Sequence, residues 1–114
     1  MFHLINWNDF EKVDMRVGTI IEVTDFPAAR NPSYKFKIDF GSLGIKKSSA
    51  QIISLYKNKE ELLNRQVIAV VNFPPKQIAD FMSEVLILGV LMEKEGEVVL
   101  LQPERKVPNG LKIA

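Results

Sequence analysis

Five lysines in the middle of the chain carry the clearest chemistry in the sequence, and it is the chemistry of binding rather than of catalysis. Hydroxyl and amide side chains near them could add hydrogen bonds to a polar partner. The lysines are Lys35, Lys37, Lys46, Lys47 and Lys76, and the polar side chains are Ser48, Ser49, Gln51, Asn72 and Ser83. If the segments that carry them pair as strands, the ammonium groups gather on one face, which suits phosphate groups or acidic side chains. The alternative is that the lysines only keep a sheet face soluble and discourage edge pairing.

Charge is distributed unevenly along the chain, although the net charge is only +1. Residues 30–76 hold nine Lys and Arg against three Asp and Glu, whereas residues 77–105 hold two against six. A basic middle beside an acidic segment forms an electrostatic pole, and such poles attract partners of opposite charge. A solvated face without a partner is the alternative interpretation.

Residue types that catalyse reactions or hold metals are scarce. His3 is the only histidine and the chain has no cysteine, so a zinc site of histidines and cysteines cannot form within one chain. The serines have no evident histidine to activate them, and no glycine-rich phosphate-binding motif occurs. We therefore expect a binding protein that is not an enzyme and that uses no metal or cofactor.

The hydropathy pattern predicts a single domain over residues 1–114, built mainly of strands. Residues 34–40 (YKFKIDF) alternate between apolar and polar side chains, as an antiparallel strand with one wet face does. Gly18 lies inside the first strand and suggests a bulge or bend there. The predicted strands are residues 15–23, 34–40, 45–53, 66–72, 82–91 and 97–102, and the predicted helices are residues 8–11, capped by Asn8, and residues 57–64, capped by Asn58, with Leu62 and Leu63 facing inward. This order matches an all-β fold, a five-stranded OB-fold barrel with short helices and added C-terminal strands.

Apolar side chains exceed what one barrel wall needs. In residues 85–90 both alternating sets are apolar, and residues 67–71 show the same pattern. The second face must therefore be covered by the C-terminal strands or by a second copy of the chain, unless it stays exposed for apolar clients. We expect a homodimer.

Compartment and membrane association follow from what the sequence lacks. A small secreted domain usually needs disulfides, so the absence of cysteine favours a reducing cytosol. Residues 1–12 do not have the pattern of a signal peptide, and no apolar stretch approaches the length of a membrane span. We expect a cytoplasmic protein with no membrane insertion.

Several motifs in order along nearly the whole chain resemble one known family, the tRNA-binding OB domain. That domain is appended to some methionyl- and phenylalanyl-tRNA synthetases and also occurs free-standing. Within the family, the chain is most similar to the CsaA branch of small bacterial export-related chaperones. The motifs are DMRVGTI (residues 14–20), DFGSLGIKKSSAQI (39–52), QVIAVVNFPPKQIA (66–79), SEVLILG (83–89) and VVLLQPERKVPNG (98–110).

The resemblance implies an OB barrel whose C-terminal strands help to form a homodimer. It implies a cytosolic chaperone that binds unfolded or precursor proteins and associates with the translocase motor SecA. We expect the apolar client pocket to be lined by Phe73, Pro74, Phe81 and Met82. The alternative is a structure-specific tRNA-binding protein that uses the lysines and polar residues named above, because relatives in the family recognise tRNA by its shape and backbone.

Two departures from the tRNA-binding pattern weaken that alternative. Many tRNA-binding relatives carry a glycine where this chain has Gln51, and another where it has Val85. Both changes place a larger side chain at the expected binding face and fit the CsaA pattern. Glu84 adds a negative charge nearby, which would repel phosphate.

Overall fold

Five antiparallel strands form the wall of a nearly closed barrel in a computed structural model that describes residues 3–114. The barrel strands are β1 (Met15–Asp25), β2 (Tyr34–Asp39), β3 (Ile45–Ala50), β4 (Gln66–Val70) and β7 (Leu86–Ile87). Their order across the sheet is β3-β2-β1-β4-β7, which confirms the predicted OB-type fold. Two hairpins are added to the barrel: β5 (Lys76–Ile78) with β6 (Phe81–Ser83), and β8 (Gly89–Leu91) with β9 (Val98–Leu100).

The seam of the barrel between β3 and the start of β7 is closed partly by side chains. The backbone N–H of Glu84 donates to the Lys47 carbonyl oxygen at 2.8 Å, and the Lys47 N–H donates to the Glu84 Oε1 at 2.9 Å. The Ser48 hydroxyl donates to the carbonyl oxygen of Val85 at 2.7 Å. Glu84 therefore holds the seam together through its carboxylate.

The core follows from the alternation of apolar residues along the strands. One face of β2 places Phe36 and Ile38 inside the barrel, where Ile20, Phe40 and Val67 meet them, and all five are at most 1% exposed. Burial of apolar side chains of this size contributes about 1.5–3 kcal/mol each before entropy costs. This cluster is the interior on which the outward faces of the strands are anchored.

Helices are short and lie close to their predicted places. A 3-10 helix at Lys59–Leu62 connects β3 to β4, and the Asn58 side chain caps it by accepting the Glu60 N–H, as expected. Leu62 is buried, but Leu63 is exposed, so the inward placement of Leu63 was wrong. The first helix, α1 (Trp7–Glu11), is capped by Asn6 rather than Asn8, because Asn6 and Asp9 form a reciprocal capping box.

Two features of the predicted strands also need correction. The β-bulge in β1 falls between Ile20 and Glu22 rather than at Gly18. The single strand predicted for residues 82–91 is divided into β6, β7 and β8, because the chain leaves the β5–β6 hairpin, crosses the seam and then turns into the β8–β9 hairpin.

The C-terminal segment covers the first half of β1. The Val17 N–H donates to the Leu111 carbonyl oxygen and the Ile113 N–H donates to that of Met15, so this tail runs along the part of β1 that β2 does not reach, on the edge opposite β4. The second apolar face predicted for residues 85–90 is present on the surface, since Leu86 and Val90 are each 48% exposed.

None of the helices within residues 3–114 has the length and apolar character that crossing a membrane requires.

Candidate binding surface

The lysines of β2 and β3 lie on two different faces of the sheet. Lys35 is opposite Ser49 and Lys37 is opposite Lys47, so these four side chains share the outward face. Lys46 is opposite the buried Ile38 and therefore belongs to the inward set, at the end of the barrel. The grouping of all four strand lysines on one face was wrong, because adjacent residues of a strand point to opposite sides.

Two of the outward lysines converge on aromatic rings instead of carboxylates. The Lys35 Nζ lies 5.3 Å from the ring centroid of Phe26 and 5.7 Å from that of Phe81, and the Lys47 Nζ lies 5.3 Å from the Phe81 centroid. The two rings meet edge to face, with centroids 5.4 Å apart. We call these four residues the lysine–aromatic cluster. Cation–π contacts of this kind contribute about 0.5–1 kcal/mol at exposed sites.

The connector, residues 71–85 between β4 and β7, folds over β3 with its β5–β6 hairpin and brings Lys76 and Ser83 to the same region. Lys76 and Ser83 are cross-strand partners, and the Ser83 hydroxyl oxygen accepts the N–H of Ser49 at 3.3 Å. Ala79 and Asp80 form the turn, in which only Ala79 has a positive φ. Asp80 therefore occupies a turn position that does not require glycine.

Two of the polar candidates have their side chains engaged inside the protein. Ser48 is fully buried and its hydroxyl is used at the seam with Val85. The Asn72 side chain accepts the Asp14 N–H at 3.0 Å and donates to the Lys12 carbonyl oxygen at 2.7 Å, so it ties the connector to the start of β1. Gln51 is exposed just beyond the end of β3.

The four residues expected to line an apolar pocket do not share one surface. Phe81 belongs to the lysine–aromatic cluster, whereas Met82 points to the other side of β6 and is 39% exposed. Phe73 is 55% exposed, and Pro74 beside it is exposed as well. Phe73 is therefore not a core residue.

A cleft that the sequence did not reveal lies beside the lysine–aromatic cluster. Its volume is about 300 Å³, and most of its wall is apolar. The lining residues are Asp25, Phe26, Pro27, Ala29, Arg30, Pro32, Ser33 and Ile53. The available signal was the two-proline loop of residues 26–33 that follows β1, but Ile53 comes to the cleft from the turn after β3. Sequence spacing alone does not bring these segments together.

The single carboxylate of the cleft is already paired. The Lys59 Nζ donates to the Asp25 Oδ2 at 2.9 Å, and this hydrogen bond raises the pKa of the Lys59 ammonium above its ordinary value. Burial, with a contribution from the Asp25 carboxylate, also raises the pKa of the Tyr34 phenol. Both shifts keep Lys59 charged and Tyr34 neutral at physiological pH, so the Asp25 charge is offset where it meets the cleft.

Known proteins place the chain in a family. The model of a family described as putative tRNA binding domain matches residues 15–112. A crystal structure of the chaperone CsaA from Bacillus anthracis is 50% identical with a TM-score of 0.92, covering 98% of this chain and 100% of that one. A CsaA chaperone structure from Picrophilus torridus is 55% identical with a TM-score of 0.87, covering 97% and 100%.

Curated relatives match the same residues as part of much longer proteins. A methionine–tRNA ligase of Pyrococcus abyssi is 39% identical over 110 residues, which are 96% of this chain. The chain spans only 14% of that ligase's length. The chain therefore belongs to the tRNA-binding domain family, and it shares its fold and about half of its residues with CsaA chaperone structures.

Proposed function

We propose that this protein is a molecular chaperone that binds unfolded or precursor proteins. The observation that carries the proposal is the 50–55% identity to two CsaA chaperone structures over the full length of both. The ligase relatives are less similar, and most of their length has no counterpart here. The proposed activity is binding alone, with no active site of its own.

Client binding would rest in part on apolar side chains that the connector exposes. Phe73 and Pro74 are exposed ahead of its β5–β6 hairpin, and Met82 is 39% exposed on β6. Burial of such surface contributes about 25 cal/mol per Å² before the costs of ordering a client, so we expect micromolar affinity. The sequence has no phosphate-cradling loop, so client release would need no nucleotide.

Light scattering of a heat-denatured client tests the proposal. A twofold molar excess of this protein should reduce the scattering, and the reduction should be the same with and without ATP. The proposal is wrong if the scattering is unchanged while the protein remains folded. A Phe73→Ser variant should suppress aggregation less well and keep its thermal stability, because Phe73 is not part of the core.

A role in protein export would require contact with the translocase motor SecA, as the family resemblance implies. Co-sedimentation of the purified protein with purified SecA, with and without a precursor protein, tests this step separately from chaperoning. Binding that requires the precursor would support the export role. If the protein does not bind SecA with or without the precursor, the export role is wrong and only the general chaperone function is left.

A second candidate function is binding of tRNA, and one observation favours it. Lys35 and Lys47 lie side by side on the outward face, and within residues 3–114 neither forms an ion pair. Phosphate groups could neutralise them, with release of counterions. Glutamate at both positions should abolish tRNA binding. Glutamine at both positions should reduce the slope of log K against log salt concentration by about two.

A further inference from the structure

We propose that the cleft and the lysine–aromatic cluster form one bipartite client site, whose preferred ligand is a polypeptide segment with an apolar side chain next to Asp or Glu. The inference rests on the proposed chaperone function and specifies the chemistry of its clients. The apolar side chain would enter the cleft. The neighbouring carboxylates would lie on the ammonium groups of Lys35 and Lys47.

The two halves of the site are continuous because they share one residue. Phe26 is 4% exposed, and it both lines the cleft and packs against Phe81 in the cluster. The Lys35 ammonium lies over both rings, directly beside the cleft. A short extended segment placed along this surface would contact the apolar cleft first and, within a few residues, the ammonium groups of the lysine–aromatic cluster.

Part of the positive charge of this surface has no carboxylate partner within residues 3–114. Lys37 on the same face pairs with Glu22 at 3.7 Å, and Lys59 pairs with Asp25. Lys35, Lys47 and Arg30 form no ion pair among the described residues, and Arg30 stands at the wall of the cleft. Three such cations, one on the cleft wall and two in the adjoining lysine–aromatic cluster, complement a ligand that is apolar at one point and acidic beside it.

The same geometry favours a polypeptide over RNA. Base stacking needs a free aromatic face, but the ammonium groups of Lys35 and Lys47 already occupy positions over Phe81. Phe26 is almost completely buried and offers no face either. A cleft walled by Pro27, Pro32 and Ile53 suits an aliphatic or aromatic side chain rather than a phosphate.

Two fluorescein-labelled peptides test the ligand chemistry with the intact protein. They share a Leu-Phe-Leu centre and differ only in their flanks, which are Asp and Glu in one and Asn and Gln in the other. Fluorescence anisotropy at low salt should show the acidic peptide binding roughly fivefold to tenfold more tightly, because two exposed ion pairs each add a modest attraction. The difference should shrink when salt is raised.

Matched variants assign the effect to each half of the site. The double variant Lys35→Gln, Lys47→Gln should lose the preference for acidic flanks. The double variant Lys37→Gln, Lys46→Gln makes the same charge change on the same strands and should keep that preference. Ala29→Trp should fill the cleft and weaken both peptides about tenfold. Ala28→Trp is the control, since Ala28 is exposed and does not line the cleft.

The outcomes separate this inference from the chaperone function. If the protein suppresses aggregation but binds both peptides equally, or if the preference survives the Lys35 and Lys47 double variant, the bipartite site is wrong and the chaperone function stands. If it neither suppresses aggregation nor binds a peptide, both fail. If the double variant loses tRNA binding but keeps the preference for acidic peptides, the two lysines serve RNA and the inference is overturned. If the Lys35, Lys47 double variant unfolds, the Arg30→Gln variant at the wall of the cleft must instead show a reduced preference for the acidic peptide.

Discussion

Gly18 shows how closely single residues are fitted inside the barrel. A Cβ at this position would lie 2.6 Å from the Ile38 Cγ2 and 2.7 Å from the Phe40 Cε1, closer than any real contact allows. We predict that Gly18→Ala lowers the free energy of unfolding by about 1–3 kcal/mol, because both buried neighbours must shift. Urea denaturation measures it. Thr24→Ala on the exposed part of the same strand should cost less than about 0.5 kcal/mol, and an equal loss from both variants would contradict the packing argument.

Ser48 and Ser49 are adjacent in sequence but have different roles. Ser48 is buried and donates to the carbonyl oxygen of Val85, whereas Ser49 faces outward beside the lysine–aromatic cluster. We predict that Ser48→Ala costs about 1–3 kcal/mol of stability, because a buried carbonyl loses its partner. Client binding, measured where the variant is folded, should not change. The Ser49→Ala variant should be as stable as the unmodified protein. If the Ser48→Ala variant is instead stable but binds clients less well, Ser48 contacts the client and the structural role is wrong.

At the scale of elements, the β8–β9 hairpin is fixed to the barrel through Tyr56. The Tyr56 hydroxyl accepts the Leu100 N–H at 3.0 Å, and its backbone carbonyl accepts the Tyr34 hydroxyl at 2.7 Å. We predict that Tyr56→Phe increases hydrogen exchange at the Leu100 amide and costs about 0.5–1.5 kcal/mol, while the Tyr34 contact remains. Amide exchange followed by NMR would show it. Unchanged protection of Leu100 would mean that strand pairing alone holds the hairpin.

The sequence predicted the barrel because its strands alternate and because polar turns separate them. Residues 34–40 and the helix capped by Asn58 are clear cases, in which local pattern and final structure agree. The division of residues 82–91 could not be predicted, because residues 85–91 are apolar apart from Gly89 and contain no proline, asparagine or aspartate to mark a turn. The run is divided where Glu84 and Val85 form hydrogen bonds with β3. These bonds form only when the seam of the barrel closes.

The candidate binding surface was predicted only in part, for a geometric reason. The lysines of β2 and β3 were expected to share one face, but which of them do so depends on the register, which the sequence did not reveal. The cleft was missed because its walls come from residues 25–33 and from Ile53, which meet only in the folded chain. Asn72 was taken for a ligand residue, although it ties the connector to Asp14.

At the scale of the whole molecule, the exposed apolar residues of β7 to β9 call for a partner. Leu91 is 83% exposed, and Leu86, Val90 and Met92 are each between 45% and 48% exposed. We predict a homodimer that buries this surface. Sedimentation equilibrium at micromolar concentration should give twice the 13.0 kDa chain mass, and Leu91→Glu should shift it toward the monomer. A monomer in the unmodified protein would contradict the dimer and leave this surface for apolar clients.

We have proposed that this protein holds polypeptides mainly by apolar burial. Its binding to an unfolded precursor protein and to bulk tRNA should therefore be compared at about 50 mM and about 200 mM salt. We expect micromolar binding of the precursor that persists at the higher salt, because apolar burial is insensitive to screening, whereas any tRNA binding should fall steeply. Tight tRNA binding at the higher salt, with no detectable binding of the precursor at either salt, would contradict it.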